Sequence, residues 1–347
     1  VNKKLFLVII ASCFFLCSCA GLNYNLVRED LDNDIDEGHY IDGLHFFKQD
    51  KNFCGPAALA VVMNYWGDDV TQEEIAKGIY KESIKGSLTI DLEAYSYKRG
   101  FFAQAGNFTL DELGDKLRDD IPIIVIVQVL PFIKKNHYLV LFGYDDTREV
   151  VIVYSGKEEP ELMRYKDFLR KWESAGKWAL VACPPQKVNW DLNAYYLNKL
   201  ALLYEESGLN DLAALYYEKA IKEDDATALY FFNLGNVYLK TKDYSKAVVY
   251  YSRAIEIDEQ YADAYNNIAY SLYLDGRNLD MAEEYINKAL ELTSDKKAYY
   301  YDTLGLIYKK RKAYKAAREY FSKALKAADN LDFQAKETIK NHLNSLP

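Results

Sequence analysis

The chain has 347 residues, enough for two or three domains at about 100–200 residues each. Half of the residues are hydrophobic and 27% are charged, with 17 Gly and 7 Pro, which excludes a disordered, collagen-like or linker-dominated chain. Lys and Arg number 43 against 52 Asp and Glu, and the net charge of -9 excludes a bulk electrostatic nucleic-acid binder.

At the start, Lys3 and Lys4 precede an apolar run from Leu5 to Leu16. A bilayer span needs about 20 apolar residues, so this shorter run behind positive charge reads as a secretory signal peptide over residues 1–18. The run ends in Leu16-Cys17-Ser18-Cys19, which resembles the lipobox of bacterial lipoproteins. That resemblance implies lipidation of Cys19, with acyl chains that anchor the chain without a membrane helix. Ala20 after the lipidated Cys implies the outer membrane, facing the periplasm. Residues 19–40 are acidic and poorly periodic, and are expected to be a lipidated tether. Of five cysteines, Cys13 and Cys17 lie in the signal and Cys19 takes lipid, leaving Cys54 and Cys183 in a compartment that permits disulfides.

Residues 41–185 read as an α+β domain. Cys54-Gly55-Pro56-Ala57-Ala58-Leu59-Ala60 starts a helix, since Pro suits a first turn and Ala and Leu propagate it. Ala58, Leu59, Val61, Val62, Tyr65 and Trp66 give it an apolar face, and Gly67 ends it. Cys54 thus sits at a helix N-terminus, where the dipole favours thiolate and a nucleophile is wanted. Thr71 to Glu74 and Thr109 to Glu112 have capping-box spacing. Ile123–Leu130, His137–Tyr144 and Val150–Tyr154 then read as strands, with a turn at Asp145–Arg148 whose Asp145 and Asp146 are expected to be solvated. Of the histidines at 39, 45, 137 and 342, only His137 lies inside a strongly ordered pattern. Cys183, before Pro184-Pro185, reads as a small buried residue rather than a partner for Cys54, because the Pro-Pro pair reads as a domain exit and not as part of a cleft.

Gln49, the CGPAALA run and the Asn136-His137-Tyr138 strand together resemble papain-like cysteine peptidases, above all the bacteriocin-processing group that acts on double-glycine leaders. The resemblance implies that Cys54 attacks the scissile carbonyl and that His137 carries the proton. It also implies that Gln49 donates to the oxyanion with the Cys54 N–H. The family places an Asp or Asn on the strand after the His, to fix its tautomer. Here that position reads Ser155-Gly156, so Ser155 is the candidate third member, able to accept only weakly. The Cys-His-Gln set argues for an active site.

From residue 191 to 345 the pattern is helical and self-similar. The last Ala of each unit recurs at Ala220, Ala254, Ala289 and Ala324, in steps of 34, 35 and 35. Period and residue types resemble tetratricopeptide repeats, four of them with a capping helix over 331–345. Most of the 31 Tyr fall here and are expected to pack between helices, while Asn233, Asn236, Asn267, Tyr270 and Tyr299 are candidates for a concave peptide groove.

The expected fold is therefore an α+β papain-like domain followed by an all-α repeat solenoid. The expected function is a membrane-anchored cysteine peptidase whose array binds a peptide or protein substrate or a protein partner. A non-catalytic envelope scaffold and a Cys-dependent acyl or peptidyl transferase remain open alternatives. No spaced Cys/His cluster or Gly-rich phosphate loop is present, so no metal or cofactor is expected.

Overall fold

A computed structural model describes residues 23–33, 37–130, 135–292, 296–328 and 331–347. The expected signal peptide and the lipidation site Cys19 lie outside the described residues. The chain forms two compact units, Val1–Asn189 and Trp190–Pro347.

In the first unit the described part of the expected tether, residues 23–33 and 37–40, is structured. Helix α1 (Tyr24–Asp32) starts at Asn23, whose side chain accepts from the Asn25 N–H. Its Val27 is buried, and Arg148 binds Asp30 on the helix and Asp145 below it. Asp145 corrects the expectation of a solvated turn: it is fully buried and accepts from the Arg148 N–H at 2.8 Å and the Arg148 guanidinium at 2.8 Å. A carboxylate can stay buried in this way because each oxygen has a donor. Strand β1 (Gly38–Tyr40) follows α1 and pairs with the end of β6 (Lys135–Asp145), Gly38 opposite Asp145.

Helix α2 (Cys54–Tyr65) is the centre of the unit. Every residue from Gly55 to Met63 is buried, so it is enclosed on all sides rather than amphipathic with one apolar face. Helices α3 (Gln72–Ile79) and α4 (Thr89–Lys98) pack on it, with the small hairpin β2 (Tyr80–Lys81) and β3 (Gly86–Ser87) between them. Both expected capping boxes form, Thr71 with Glu74 on α3 and Thr109 with Glu112 on α5 (Leu110–Arg118).

The sheet also contains β4 (Phe102–Asn107), β5 (Ile123–Leu130), β7 (Val150–Tyr154), β8 (Glu161–Arg164) and β9 (Trp178–Cys183), with α6 (Tyr165–Ser174) before β9. Its order is β4-β9-β5-β6-β7-β8, all antiparallel, with β1 added on β6. The long strand β6 pairs with β5 in its first half and with β7 in its second, Val127 opposite His137 and Val140 opposite Tyr154. A bulge between Leu141 and Gly143 interrupts the β6–β7 ladder.

The second unit is all helical. Four hairpins, α7 (Ala194–Glu206) with α8 (Asn210–Glu223), α9 (Ala228–Lys240) with α10 (Tyr244–Ile257), α11 (Ala262–Asp275) with α12 (Leu279–Leu292) and α13 (Lys297–Lys310) with α14 (Tyr314–Lys326), are followed by α15 (Phe333–Asn344). Gly235 and Gly305 let a buried aromatic of the paired helix approach their backbone, Tyr251 and Phe321 respectively. The Tyr excess has a repeated use: Tyr204 stacks on Tyr216 at 5.4 Å, Tyr238 on Tyr250 at 5.3 Å and Tyr308 on Tyr320 at 5.3 Å. The expected architecture, an α+β domain with an antiparallel sheet followed by a helical repeat array, is the one observed.

Candidate active site

Cys54 is the first residue of α2. Asn52 at φ 68° and a turn closed by the Phe53 N–H on the Asp50 carbonyl at 3.1 Å deliver it there. No side chain caps this helix end. The Gly55 N–H of the first turn is directed at the sulfur. Opposite, β6 presents His137. Burial pushes the Cys54 thiol up, but hydrogen bonds with the His137 ring and with the Tyr138 and Gly55 N–H groups outweigh it, and the thiol sits below its ordinary value.

His137 Nε2 lies 3.0 Å from the main-chain carbonyl oxygen of Ser155. A carbonyl only accepts, so Nε2 carries the proton. The other nitrogen, Nδ1, is left unprotonated in the neutral ring and is the one available to the thiol. This corrects the role expected of Ser155. Its hydroxyl does not meet the imidazole; it donates to Glu161 instead. The orienting acceptor is the backbone.

Gln49 is held from several directions. Its N–H donates to the Gly156 carbonyl at 2.9 Å, and its side chain lies against the Gly156 Cα, where a Cβ would come within 2.2 Å of Gln49 Oε1. Gly156 has φ +92°, so the position is doubly reserved for glycine. Ser155 and Gly156 thus hold His137 and Gln49 through consecutive carbonyls. The buried Gln72 brackets the same loop: its Oε1 accepts from the Asp50 N–H at 3.0 Å and its Nε2 donates to the Lys48 carbonyl at 3.2 Å. Tyr154 OH donates to the Phe47 carbonyl at 2.8 Å. Sequence reading missed Gln72. Its one signal was a Gln on the buried face of a helix that otherwise carries Ile and Ala there.

Tyr138 closes the floor beside Cys54, with its OH donating to the Ser87 carbonyl at 3.2 Å and its ring over Gly55. Cys183 is fully buried on β9, and burial pushes its thiol up to about 12; both it and Cys54 are free. Among the described residues no group of three or more His, Cys, Asp or Glu is arranged to hold a metal ion. No helix among them is long and apolar enough to cross a membrane.

The array's groove candidates divide. Asn233 is buried and donates to Asn198 Oδ1 at 2.9 Å, which makes it an internal bridge between repeats rather than a groove residue. Asn236 Oδ1 accepts from Tyr251 OH at 2.7 Å and from Asn267 Nδ2 at 3.1 Å. Both amides are therefore already engaged across helices. Tyr270 is half-buried and stacks on Tyr273 at 5.9 Å, while Tyr299 is exposed.

Comparison with known proteins agrees with these two halves. Residues 41–180 match the Peptidase_C39 like family. Tetratricopeptide repeats match at 194–227, 228–261, 262–296 and 298–331. Anaphase-promoting complex subunit 3 of Schizosaccharomyces pombe (strain 972 / ATCC 24843) is 32% identical over 68 residues, which are 20% of this chain and 10% of that protein. The chain thus spans about a tenth of the length of this curated relative. A crystal structure of MamA is 27% identical with a TM-score of 0.37, over 40% of this chain and 79% of that one. MamA 41-end from Desulfovibrio magneticus RS-1 is 22% identical with a TM-score of 0.36, over 40% and 78%. The chain carries a Peptidase_C39-like domain followed by tetratricopeptide repeats.

Proposed function

We propose that the first unit is a cysteine-type peptidase and that the repeat array binds its protein substrate or a protein partner. The carrying observation is a Cys54 thiol at the start of α2 that the His137 ring holds below its ordinary value, the tautomer of that ring being fixed by the Ser155 carbonyl at 3.0 Å.

In this reading His137 Nδ1 takes the thiol proton and the thiolate attacks the scissile carbonyl carbon. The tetrahedral oxyanion is met by the Cys54 N–H and the Gln49 amide, each such donor lowering the barrier by about 2.7–4 kcal/mol. The imidazolium then protonates the leaving amine, leaving a thioester on Cys54. Water, deprotonated by His137, attacks the thioester and frees the acid and the thiol. The reading includes an anchor: a signal over residues 1–18, lipid on Cys19, and the domain and array facing the periplasm from the outer membrane. No nucleic acid, metal or cofactor enters it.

A blocked Gly-Gly p-nitrophenyl ester tests the chemistry. The wild-type chain should release nitrophenol in a burst, acylate Cys54 as seen by mass spectrometry, and return the free acid. Cys54→Ala should show no burst. Added glycine amide should leave the acid as product; an amide product in its place would identify a transferase, and no acylation of Cys54 would leave a binding scaffold.

A further inference from the structure

Ser155 stands where the peptidase resemblance leads one to expect an Asp or Asn, and one carboxylate stands directly behind its carbonyl. The β7–β8 register sets Val153 opposite Glu161, so Glu161 lies beside the residue that follows β7. The Ser155 hydroxyl donates to Glu161 Oε2, and Lys157 binds Glu161 Oε1. A line of contacts therefore runs from the His137 Nε2–H to the Ser155 carbonyl, and from the Ser155 hydroxyl to the Glu161 carboxylate.

We infer that Glu161 is a positioning residue of this site: it fixes Ser155 so that its carbonyl faces His137, and it places a negative charge behind the ring that must become imidazolium. This rests on the peptidase reading and deepens it. The arrangement divides between two groups what one carboxylate would do. The neutral carbonyl sets the ring's tautomer, while the charge sits one residue further out. A charge close to the ring favours its protonated form, whether or not the two touch. The titratable groups that act on His137 include the Cys54 thiol from α2 and Glu161 from β8, with Lys157 on the far oxygen of Glu161. The coupling is visible from the Glu161 side. Burial pushes its carboxyl up, but hydrogen bonds from Lys157 and Ser155, together with the charges of Lys157 and His137, hold it below its ordinary value.

The experiment is an NMR titration of ring-labelled histidine in the whole chain, with His137 identified from the spectrum of His137→Ala. Glu161→Gln keeps the shape and removes the charge. It should lower the His137 midpoint by at least about 0.5 unit, about a threefold change in imidazolium at fixed pH. Lys157→Ala, at an exposed position, should raise the midpoint. Cys54→Ala should lower it, because the thiolate partner is gone. If Glu161→Gln leaves the midpoint in place while Cys54→Ala moves it, the dyad stands and the role of Glu161 is overturned. A fall of similar size in both loop variants would also overturn it, because a rearranged loop and not a charge would then be responsible. If Cys54→Ala does not move the midpoint either, the peptidase reading fails and this inference with it.

Discussion

In the repeat array, a Cβ added at Gly235 would come within 2.6 Å of the Tyr251 ring, and one added at Gly305 within 2.5 Å of the Phe321 ring. In the peptidase-like domain, a Cβ added at Gly156 would come within 2.2 Å of Gln49 Oε1. The two situations differ in what the close approach achieves. The array glycines lie on helices in ordinary helical conformation, and each brings a helix pair together over a buried aromatic. Its return is apolar burial, which the repeat reuses in other units. Gly156 stands in the left-handed region at φ +92° and clamps one loop against another, far apart in sequence. What it secures is the position of a polar side chain. Packing of the first kind tolerates small adjustments, whereas a hydrogen-bond donor misplaced by about 1 Å can cost on the order of 10²-fold in rate.

This contrast can be broken from either side. The larger expected effect is in the array. Tyr251 is fully buried, and its OH donates to Asn236 at 2.7 Å and accepts from Asn267 at 3.3 Å. Tyr251→Ala should destabilise the array by about 3–5 kcal/mol, as for other large buried aromatics, read from urea denaturation followed by helical circular dichroism. A loss below about 1 kcal/mol would mean that the repeat contact carries little. Gly156→Ala should be milder for the fold, about 1–2 kcal/mol for a left-handed non-glycine residue. It should still reduce kcat/KM on the Gly-Gly ester by on the order of 10²-fold, the usual effect of losing one oxyanion donor. Undiminished turnover would remove Gln49 from the oxyanion role and erase the contrast.

The same contrast explains what could be read from the chain. In the array, function is written in side-chain types at a fixed period, so Ala254, Tyr251 and Gly235 announce their contacts in the sequence. Asn233 was misread because a polar residue on an inner helix can face a groove or a neighbouring amide, and only the register of adjacent repeats decides which. In the first unit, Cys54 and His137 were legible because a thiol before Gly-Pro and a His within an apolar strand are chemically unusual. The acceptor for His137 was not legible, because it is a main-chain carbonyl that any residue at 155 would supply. Glu161 and Gln72 were hidden for a related reason. Their importance depends on strand pairing with β7 and on the path of residues 47–50, neither of which leaves a local pattern. The described residues before 41 read as a tether because their anchoring is sparse: one buried side chain, Val27, the Arg148 contacts to Asp30 and Asp145, and three residues of strand pairing leave only a short pattern in the sequence.

The central claim is that His137 activates Cys54. It is tested most directly by the rate of iodoacetamide alkylation between pH 5 and 10, followed separately on the tryptic peptides of Cys54 and Cys183. A thiol reacts as its thiolate, so the rate rises through the pKa of each cysteine. The Cys54 rate should reach half its maximum below the ordinary thiol value of 9.0, while Cys183, fully buried and pushed up to about 12, should stay unlabelled until the chain unfolds. In His137→Ala the Cys54 midpoint should rise, and its rate near neutral pH should fall by about tenfold, one unit of lost stabilisation of the thiolate. Equal and slow labelling of both cysteines, or a Cys54 profile unchanged by His137→Ala, would contradict the account.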